Sequence, residues 1–447
     1  VAVVGGGLAG ITAALRLADA GRAVTLFEGR PVLGGLTHSF RRGELDVDNG
    51  QHVFLRCCTA YRALLDRLGV AHQVALQRRL DIPVRSPLGS RSARLRRTAL
   101  PAPLHLGASL LRYRLLDPAQ RLRFVRAALA LRRVDRTDPA TDRRSFGDWL
   151  REHGQDAGAV SALWDLVGIA TLNAPAERAS LALAAMVFQV GLLTEAGAAD
   201  VGWSLVPLGE LHGEAAGRCL REAAAGVRTG TRVERVEPRG KEWLVGVGGE
   251  EHVVDQVVLA VPPPVAERLL PPGSVPLSPG WSARLGSSPI VNAHVVLDRR
   301  VMTEPFVAGV GTPIQWVFDR TVQSGLTGGG QYLAMSLSAA DDLIDLPVRT
   351  LRERLLPELT ALLPEAGSAT VLDFFVSRER HATFRPEPGS GALRPPARTA
   401  APGLFLAGAW TDTGWPATME GAVRSGESAA DAALCAPARP VEPAVVA

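Results

Sequence analysis

The first 28 residues, VAVVGGGLAGITAALRLADAGRAVTLFE, narrow the fold more than any other part of the chain. VAVV is a short, mostly β-branched apolar run, as in a strand buried on both faces. Gly5, Gly7 and Gly10 complete a GxGxxG spacing, residues 10–20 have helical composition, and Gly21 falls where that helix would stop. VTLF reads as a second strand with Glu28 at its end. Each part has a physical task. Gly5 allows a tight turn, Gly7 admits a pyrophosphate against the backbone, and Gly10 lets helix and strand pack closely. The helix start at Leu8 and Ala9 offers free N–H groups to phosphates, and Glu28 accepts from ribose hydroxyls. An acid at that place favours an unphosphorylated ribose over NADP. A lone GxGxxG is a weak signal. Here strand, glycines, helix, strand and terminal acid stand in order, which predicts a dinucleotide site in an α/β, Rossmann-like fold.

Which dinucleotide is decided further on. Gly34 and Gly35 follow Glu28 closely, and LFLAGAWTDTGWPATMEGAVRSG (404–426) holds a buried-strand run, then Asp412, then a helical stretch beginning near Met419. Both features resemble the large flavoprotein group of amine oxidases and carotenoid desaturases. That resemblance implies FAD. It places Gly34, Gly35, Leu36 and Thr37 along the cofactor, Gly408 and Asp412 by its ribityl or pyrophosphate portion, and the helix start at Met419 against the flavin ring. TRVERVE (231–237) resembles the strand whose Val233 backbone meets adenine, and DQVVLAVPPP (255–264) the strand that leaves the nucleotide domain. The implied architecture is a Rossmann-like FAD-binding domain of the glutathione-reductase, amine-oxidase-like type with an interleaved α+β substrate domain. GVGT (309–312) and TGGGQ (327–331) lack a strand–helix setting. No built-in NAD(P)H domain is therefore expected, and electrons come from the substrate or an external donor.

A chain of 447 residues, 47% apolar, exceeds one ordinary domain. The motifs divide it into a discontinuous FAD-binding domain (1–57, 199–262 and 384–436) and two insertions. The first insertion (58–198) reads as mainly helical and the second (263–383) as mixed, together forming a substrate- and membrane-facing domain; residues 437–447 read as a mobile tail. The four cysteines show neither metal spacing nor a disulfide framework, which suits a reducing cytoplasm and predicts no metal. No apolar run reaches membrane-spanning length and no leader precedes the first strand. The expected location is cytoplasmic, peripheral at the inner face of the cell membrane. Charge is uneven: residues 76–133 carry fourteen arginines against Asp81 and Asp117, a local balance of +12 in a chain of net +4. Within them, residues 104–133 alternate arginine with leucine and aromatics at roughly helical spacing. A basic amphipathic helix reads as an element for an anionic membrane surface, with a solvated helical face as the alternative. No nucleic-acid motif accompanies the charge, so nucleic acid is not an expected partner.

DVDNGQHVFLRCCTAYRALLDRLG (46–69), SSPIVNAHVVLDRRVM (287–302), SRERHATFRP (377–386) and LAGAWTDTGWPATMEGAVRSGE (406–427) resemble the squalene-associated FAD-dependent desaturases, a family described as hydroxysqualene dehydroxylases. The resemblance runs along nearly the whole chain and is most specific at DNGQH and SPIVN. It implies reductive conversion of hydroxysqualene to squalene on a bacterial hopanoid route, with reduced FAD. Leu36 departs from the Arg that most relatives place after the Gly pair, which puts one cofactor contact in doubt. Replacing an allylic hydroxyl by hydrogen requires protonation of the leaving oxygen, shelter for a cation and a hydride. His52 is the candidate general acid, with its ordinary pKa near neutrality, and Asp48 or Glu420 the alternatives. Phe54, Trp316, Phe318, Phe374, Phe375, Trp410 and Trp415 are candidate liners of an apolar tunnel. Two rivals stay open: an oxidative carotenoid- or phytoene-type desaturase, and a prenyl-lipid-binding chaperone on the same fold without catalysis.

Overall fold

The computed structural model describes residues 1–87 and 92–435; the tail expected at 437–447 lies outside the described residues. Strand β1 (Ala2–Val4), helix α1 (Leu8–Asp19) and strand β2 (Thr25–Phe27) form the opening unit. β1 and β2 join three later strands in an all-parallel sheet of order Gly226–Arg228, β2, β1, Val257–Leu259, Leu404–Leu406. A parallel sheet of this kind is covered on both faces, and the strand alternation shows how. Val3, Leu26, Val258 and Phe405 point to one side, where they pack with α1 and with the last helix, Met419–Leu434. Ala2, Val4, Phe27, Val257, Leu259 and Leu406 point to the other, against the antiparallel meander Val233–Arg239, Glu242–Val247, Glu250–Val254. This is the α/β, Rossmann-like class expected from the sequence.

A second sheet has seven strands in the order Val371–Thr383, Ser288–Leu297, Gln331–Ser338, Trp316–Asp319, Phe306–Gly309, Asp81–Arg85, Ser92–Arg96. Helix Val348–Leu362 lays Leu351, Leu355 and Leu359 on one face of it. Between the two sheets runs a hairpin, β3 (Ser39–Arg42) and β4 (Leu45–Asp48), followed by β5 (Val53–Leu55), which pairs with Val201–Ser204. Residues 49–52 therefore cross from hairpin to sheet at the seam between the layers.

Residues 58–198 are mainly helical as expected, with two local departures. Strands occur at Val74–Leu76, Asp81–Arg85 and Ser92–Arg96 among the helices. The basic run 104–133 is not one helix. Gly107–Leu111 ends at Arg112, and a new helix, Pro118–Leu131, begins under a capping box between Asp117 and Gln120 with Pro118 in its first position. A proline without an N–H starts a helix far better than it continues one. No helix among the described residues is long and apolar enough to cross a membrane.

Helix α2 (Thr59–Arg67) lacks a side-chain cap of its own at Cys58. Glu420, on the last helix, fills that role from across the fold: its carboxylate accepts from the Ala60 N–H at 3.1 Å and the Tyr61 N–H at 2.7 Å, and from Arg424 Nε at 2.7 Å. Hydrogen bonds to a charged group contribute about 1.5–3 kcal/mol each. Glu420→Ala is thus expected to lower unfolding stability by about 3 kcal/mol, read as a fall in denaturant midpoint at unchanged m-value. An unchanged midpoint would show that this cap does not tie α2 to the last helix.

Candidate active site

The cofactor cradle is built from backbone. α1 begins with Gly7 as an extended N-cap that supplies no side-chain acceptor, so its first-turn N–H groups at Leu8 and Ala9 are open to an anion while the Leu8 and Ala9 side chains are buried. A Cβ at Gly10 would lie 1.8 Å from the Gly5 carbonyl oxygen, so the turn closes only over glycine. Gly34 donates to the Gly6 carbonyl at 2.8 Å and bridges Gly7 in parallel. Gly35 sits at φ +58°, and a Cβ there would come within 2.8 Å of the Gly7 Cα. Two glycine strips meet backbone to backbone. Glu28 stands beside them: Oε2 accepts from the Gly6 N–H at 2.6 Å and Oε1 from the Arg30 N–H at 2.7 Å. Thr231 donates to the Glu28 carbonyl at 2.8 Å, which brings the segment leading into Val233 alongside. Thr37 is buried, its hydroxyl donating to the Gly34 carbonyl at 2.8 Å. Leu36 is 41% exposed, and Arg30 donates to the neighbouring Gly35 carbonyl at 3.2 Å.

The far end of the cradle lies after strand Leu404–Leu406. The Gly408 N–H donates to Ser425 Oγ at 2.8 Å, Asp412 is exposed with its own N–H on the Pro395 carbonyl, and Met419 opens the last helix under a Thr418 cap. Both ends sit at carboxyl ends of parallel strands, where α/β sheets bind ligands.

The segment 48–52 lies against this cradle. Asp48 is buried, Oδ1 accepting from Ser39 Oγ at 2.6 Å and from the Leu208 N–H at 2.9 Å, while Oδ2 pairs with the buried Arg320. Asn49 donates through Nδ2 to Glu379 at 3.3 Å, and its carbonyl accepts from Ser377 Oγ at 3.0 Å. A Cβ on Gly50 would stand 3.2 Å from His52 Nε2 and 3.7 Å from Asn292 Nδ2, so these two side chains flank Gly50. Loss of water around the ring lowers the His52 pKa below 6.5; nearby Asp48 and the Leu36 backbone work the other way. Behind it, burial pushes His212 down to about 3, with His52 adding to the effect, and the Tyr61 hydroxyl lies 2.8 Å from His212 Nε2. A similar pair supports SPIVN: His294, pushed to about 3 by burial, meets the Tyr332 hydroxyl at 2.8 Å and Ser377 Oγ at 2.9 Å.

Three buried polar atoms here have no partner among the described residues: Asn49 Oδ1, Gln51 Nε2 and Asn292 Oδ1. Buried donors and acceptors are rarely left so. A ligand with hydrogen-bond donors and acceptors would satisfy them, and FAD carries both.

Several expectations change. Glu420 is not placed as a proton donor, because both of its oxygens are directed at the α2 N-terminus. Asp48 is committed to Arg320, Ser39 and Leu208. Burial lowers the His52 pKa below its ordinary value, so the charged ring is less populated than that ordinary value implies. The aromatic candidates do not share one surface. Trp316 and Phe318 pack with Phe306 and Trp203; Phe374 lies under helix Val348–Leu362; Phe375 stacks on His294; Trp410 and Trp415 pack beside the nucleotide sheet; and Phe54 packs near Tyr61. Sequence reasoning missed Arg320, Arg394, His212 and Tyr61. Arg394 is buried and donates to the Thr411 and Trp415 carbonyls at 2.6 and 2.7 Å, shaping the loop around Asp412. Only the apolar setting of Tyr61 and His212 hinted at burial, and nothing in spacing paired them.

The fold and this cradle define an FAD-dependent oxidoreductase. A profile of the family described as flavin containing amine oxidoreductase matches residues 8–434, and the chain belongs to that family. It is similar to the hydroxysqualene dehydroxylase of Rhodopseudomonas palustris (31% identity, 98% of each chain) and to that of Sinorhizobium fredii (28%, 97% of this chain and 98% of the relative). A zeta-carotene desaturase of Synechocystis sp. is 25% identical over 98% of each chain. Putrescine oxidase in a structure bound to putrescine superposes with a TM-score of 0.71 at 20% identity, covering 97% of this chain and 98% of that one.

Glu28→Ala removes an acceptor beside the Gly6 loop, and Gly10→Val wedges α1 from the Gly5 turn. The first is expected to purify with reduced flavin content and the second with none, measured by flavin absorbance after gel filtration. Full flavin in both variants would contradict the cradle.

Proposed function

We propose that the protein removes the allylic hydroxyl of hydroxysqualene reductively to give squalene. The full-length similarity to hydroxysqualene dehydroxylases supports this reading. The observation that carries it is the segment 48–52: one titratable ring, His52, among orphaned amides beside the glycine cradle. In the reaction the C–O bond breaks, a C–H bond forms, and the hydroxyl leaves as water after taking a proton. Bound and reduced, FAD supplies the hydride and thereby both electrons. The glycine strips, Glu28 and the α1 start hold the cofactor, with Val233, Gly408, Asp412 and Met419 along its length. Leu36, where the family resemblance implies an Arg in most members, adds an apolar contact in place of a charge. Gln51, Asn49 and Asn292 orient the substrate's hydroxyl end, and His52 delivers the proton. Desolvation makes its imidazolium a stronger acid than in water, though a less populated one. Residues 1–57, 199–262 and 384–436 form the FAD-binding unit, and 58–198 with 263–383 the substrate unit. The electrons would come from an external donor, and the enzyme would work in the cytoplasm, peripheral at an anionic membrane surface.

The 25% identity to zeta-carotene desaturases favours a second reading, oxidative desaturation of a polyene. Anaerobic incubation of photoreduced protein with hydroxysqualene, followed by analysis of lipid extracts, separates them: squalene in step with flavin is expected, and no squalene would refute the proposal. His52 is tested in single turnovers from reduced enzyme. His52→Ala and His52→Gln should keep FAD and slow the reaction about 10²–10⁴-fold. Because the His52 pKa is lowered, the wild-type rate should climb as pH falls through a value below 6.5 and level off beneath it, while the Gln variant shows no such limb. Equal rates, or recovery with Gln, would remove the proton-delivery role.

A further inference from the structure

The arginine-rich window contains a feature that its charge alone does not explain. Residues 98–105 form a loop closed at its base by Thr98, whose N–H and hydroxyl both donate to the His105 carbonyl at 2.8 and 3.2 Å. The helical stretch that follows, Leu104–Leu106 and then Gly107–Leu111, is held from beneath: Ser109 Oγ accepts from the Arg96 N–H at 2.8 Å and donates to the Arg96 carbonyl at 2.6 Å. His105 and Ser109 are thereby turned inward and buried. The opposite stripe faces out. Leu104 and Leu111, seven residues apart on one helical face, are 62% and 76% exposed, and Leu100 on the loop is 52% exposed. Large apolar side chains this exposed need a reason when they gather on one closed loop and its helix.

The ground beside them is basic. A groove of about 940 Å³ adjoins the helix at Ala108 and Ser109 and is lined by Arg79, Arg94, Arg96, Arg112 and Arg114. Arg79, Arg112 and Arg114 have no ion-pair partner among the described residues, whereas Arg94 pairs with Asp81 and Arg96 lies 3.8 Å from the same carboxylate. The inner side of the same stretch is anchored firmly. Leu106, Leu110 and Leu115 pack onto the cluster containing Phe306 and Phe318, and the Tyr113 hydroxyl donates to the Ala162 carbonyl at 2.7 Å. Leu55 and Trp203, in the β5 pairing just beyond His52, pack on that cluster too.

We propose that the Leu100–Arg114 surface docks the protein on a bilayer containing anionic phospholipid, with Leu100, Leu104 and Leu111 inserted beneath the headgroups and Arg112, Arg114 and the groove arginines meeting the phosphates. Charge complementarity selects this occupant, because apolar tips among unpaired guanidinium groups match an interface that is hydrocarbon below and anionic above. The proposal deepens the reading of a water-insoluble isoprenoid substrate, giving it an entry side continuous with the apolar cluster next to His52.

The test uses the flavin-loaded full chain and substrate-free vesicles, so its failure is independent of any failure to make squalene. Co-sedimentation is compared on phosphatidylcholine vesicles and on vesicles that also contain phosphatidylglycerol. Wild-type protein should prefer the anionic vesicles at least about tenfold and lose that preference as salt screens it. The L104S/L111S protein should bind anionic vesicles about tenfold or more weakly at every salt concentration, since each buried leucine contributes substantially to partition. R112E/R114E should lose the preference for phosphatidylglycerol. Flavin content and circular dichroism of both should match wild type, these side chains being exposed. Equal binding to neutral vesicles, or no binding, would overturn the proposal. So would wild-type binding by L104S/L111S together with release by inorganic phosphate, which would make the groove a site for free anions.

Discussion

A Cβ at Gly10 would stand 1.8 Å from the Gly5 carbonyl oxygen, and one at Gly35 would stand 2.8 Å from the Gly7 Cα. These two approaches fix where α1 begins relative to β1 and where the chain returns after Glu28. Because neither strip carries side chains, the uncapped start of α1 stays open to a pyrophosphate. The same return sends the chain into hairpin β3–β4, so segment 48–52 arrives beside the cradle. Asp48 then secures that arrival through Arg320 on the second sheet's side and the Leu208 N–H. A buried ion pair of this kind contributes little net stability, but loss of one partner leaves an unpaired charge and costs about 3–5 kcal/mol. The pair therefore serves to hold one geometry at the seam.

Much of this was legible locally. The first strand, its glycines, α1, β2 and Glu28 are encoded within 28 contiguous residues, and their order alone gives the parallel-sheet unit. The last strand and the helix from Met419 could be read in the same way. What could not be read depends on contacts between residues far apart. Arg320 lies 272 residues from Asp48, and Glu420 lies 359 from Tyr61; neither pairing leaves a mark in spacing. Glu420 looked like a free acid near a flavin-facing helix, and becomes a helix cap only once α2 is set against it. The basic run 104–133 carried a helical period, but Asp117–Pro118 overrode it locally, and a strand pair took the arginines before it.

The candidate site shows a consistent use of burial. His52, His212 and His294 all have lowered pKa values, with desolvation as the leading cause. His212 and His294 are engaged with tyrosine hydroxyls and act as neutral hydrogen-bonding groups. His52 has no tyrosine partner; it lies beside Gly50 and against the Leu36 backbone, and proton delivery by it belongs to the proposed reaction. In the proposed dehydroxylation, a water-poor site would strengthen each remaining electrostatic contact and protect a developing cation from capture by solvent.

Redox direction tests this account most directly. Protein reduced under anaerobic conditions is mixed with hydroxysqualene, oxidised protein is mixed with a polyene precursor, and flavin absorbance is followed in both. The proposed dehydroxylation predicts that the reduced flavin reoxidises, with one squalene formed per flavin, while the oxidised protein stays oxidised. Reduced protein that remains reduced, alongside bleaching of the oxidised protein by the polyene, would contradict it.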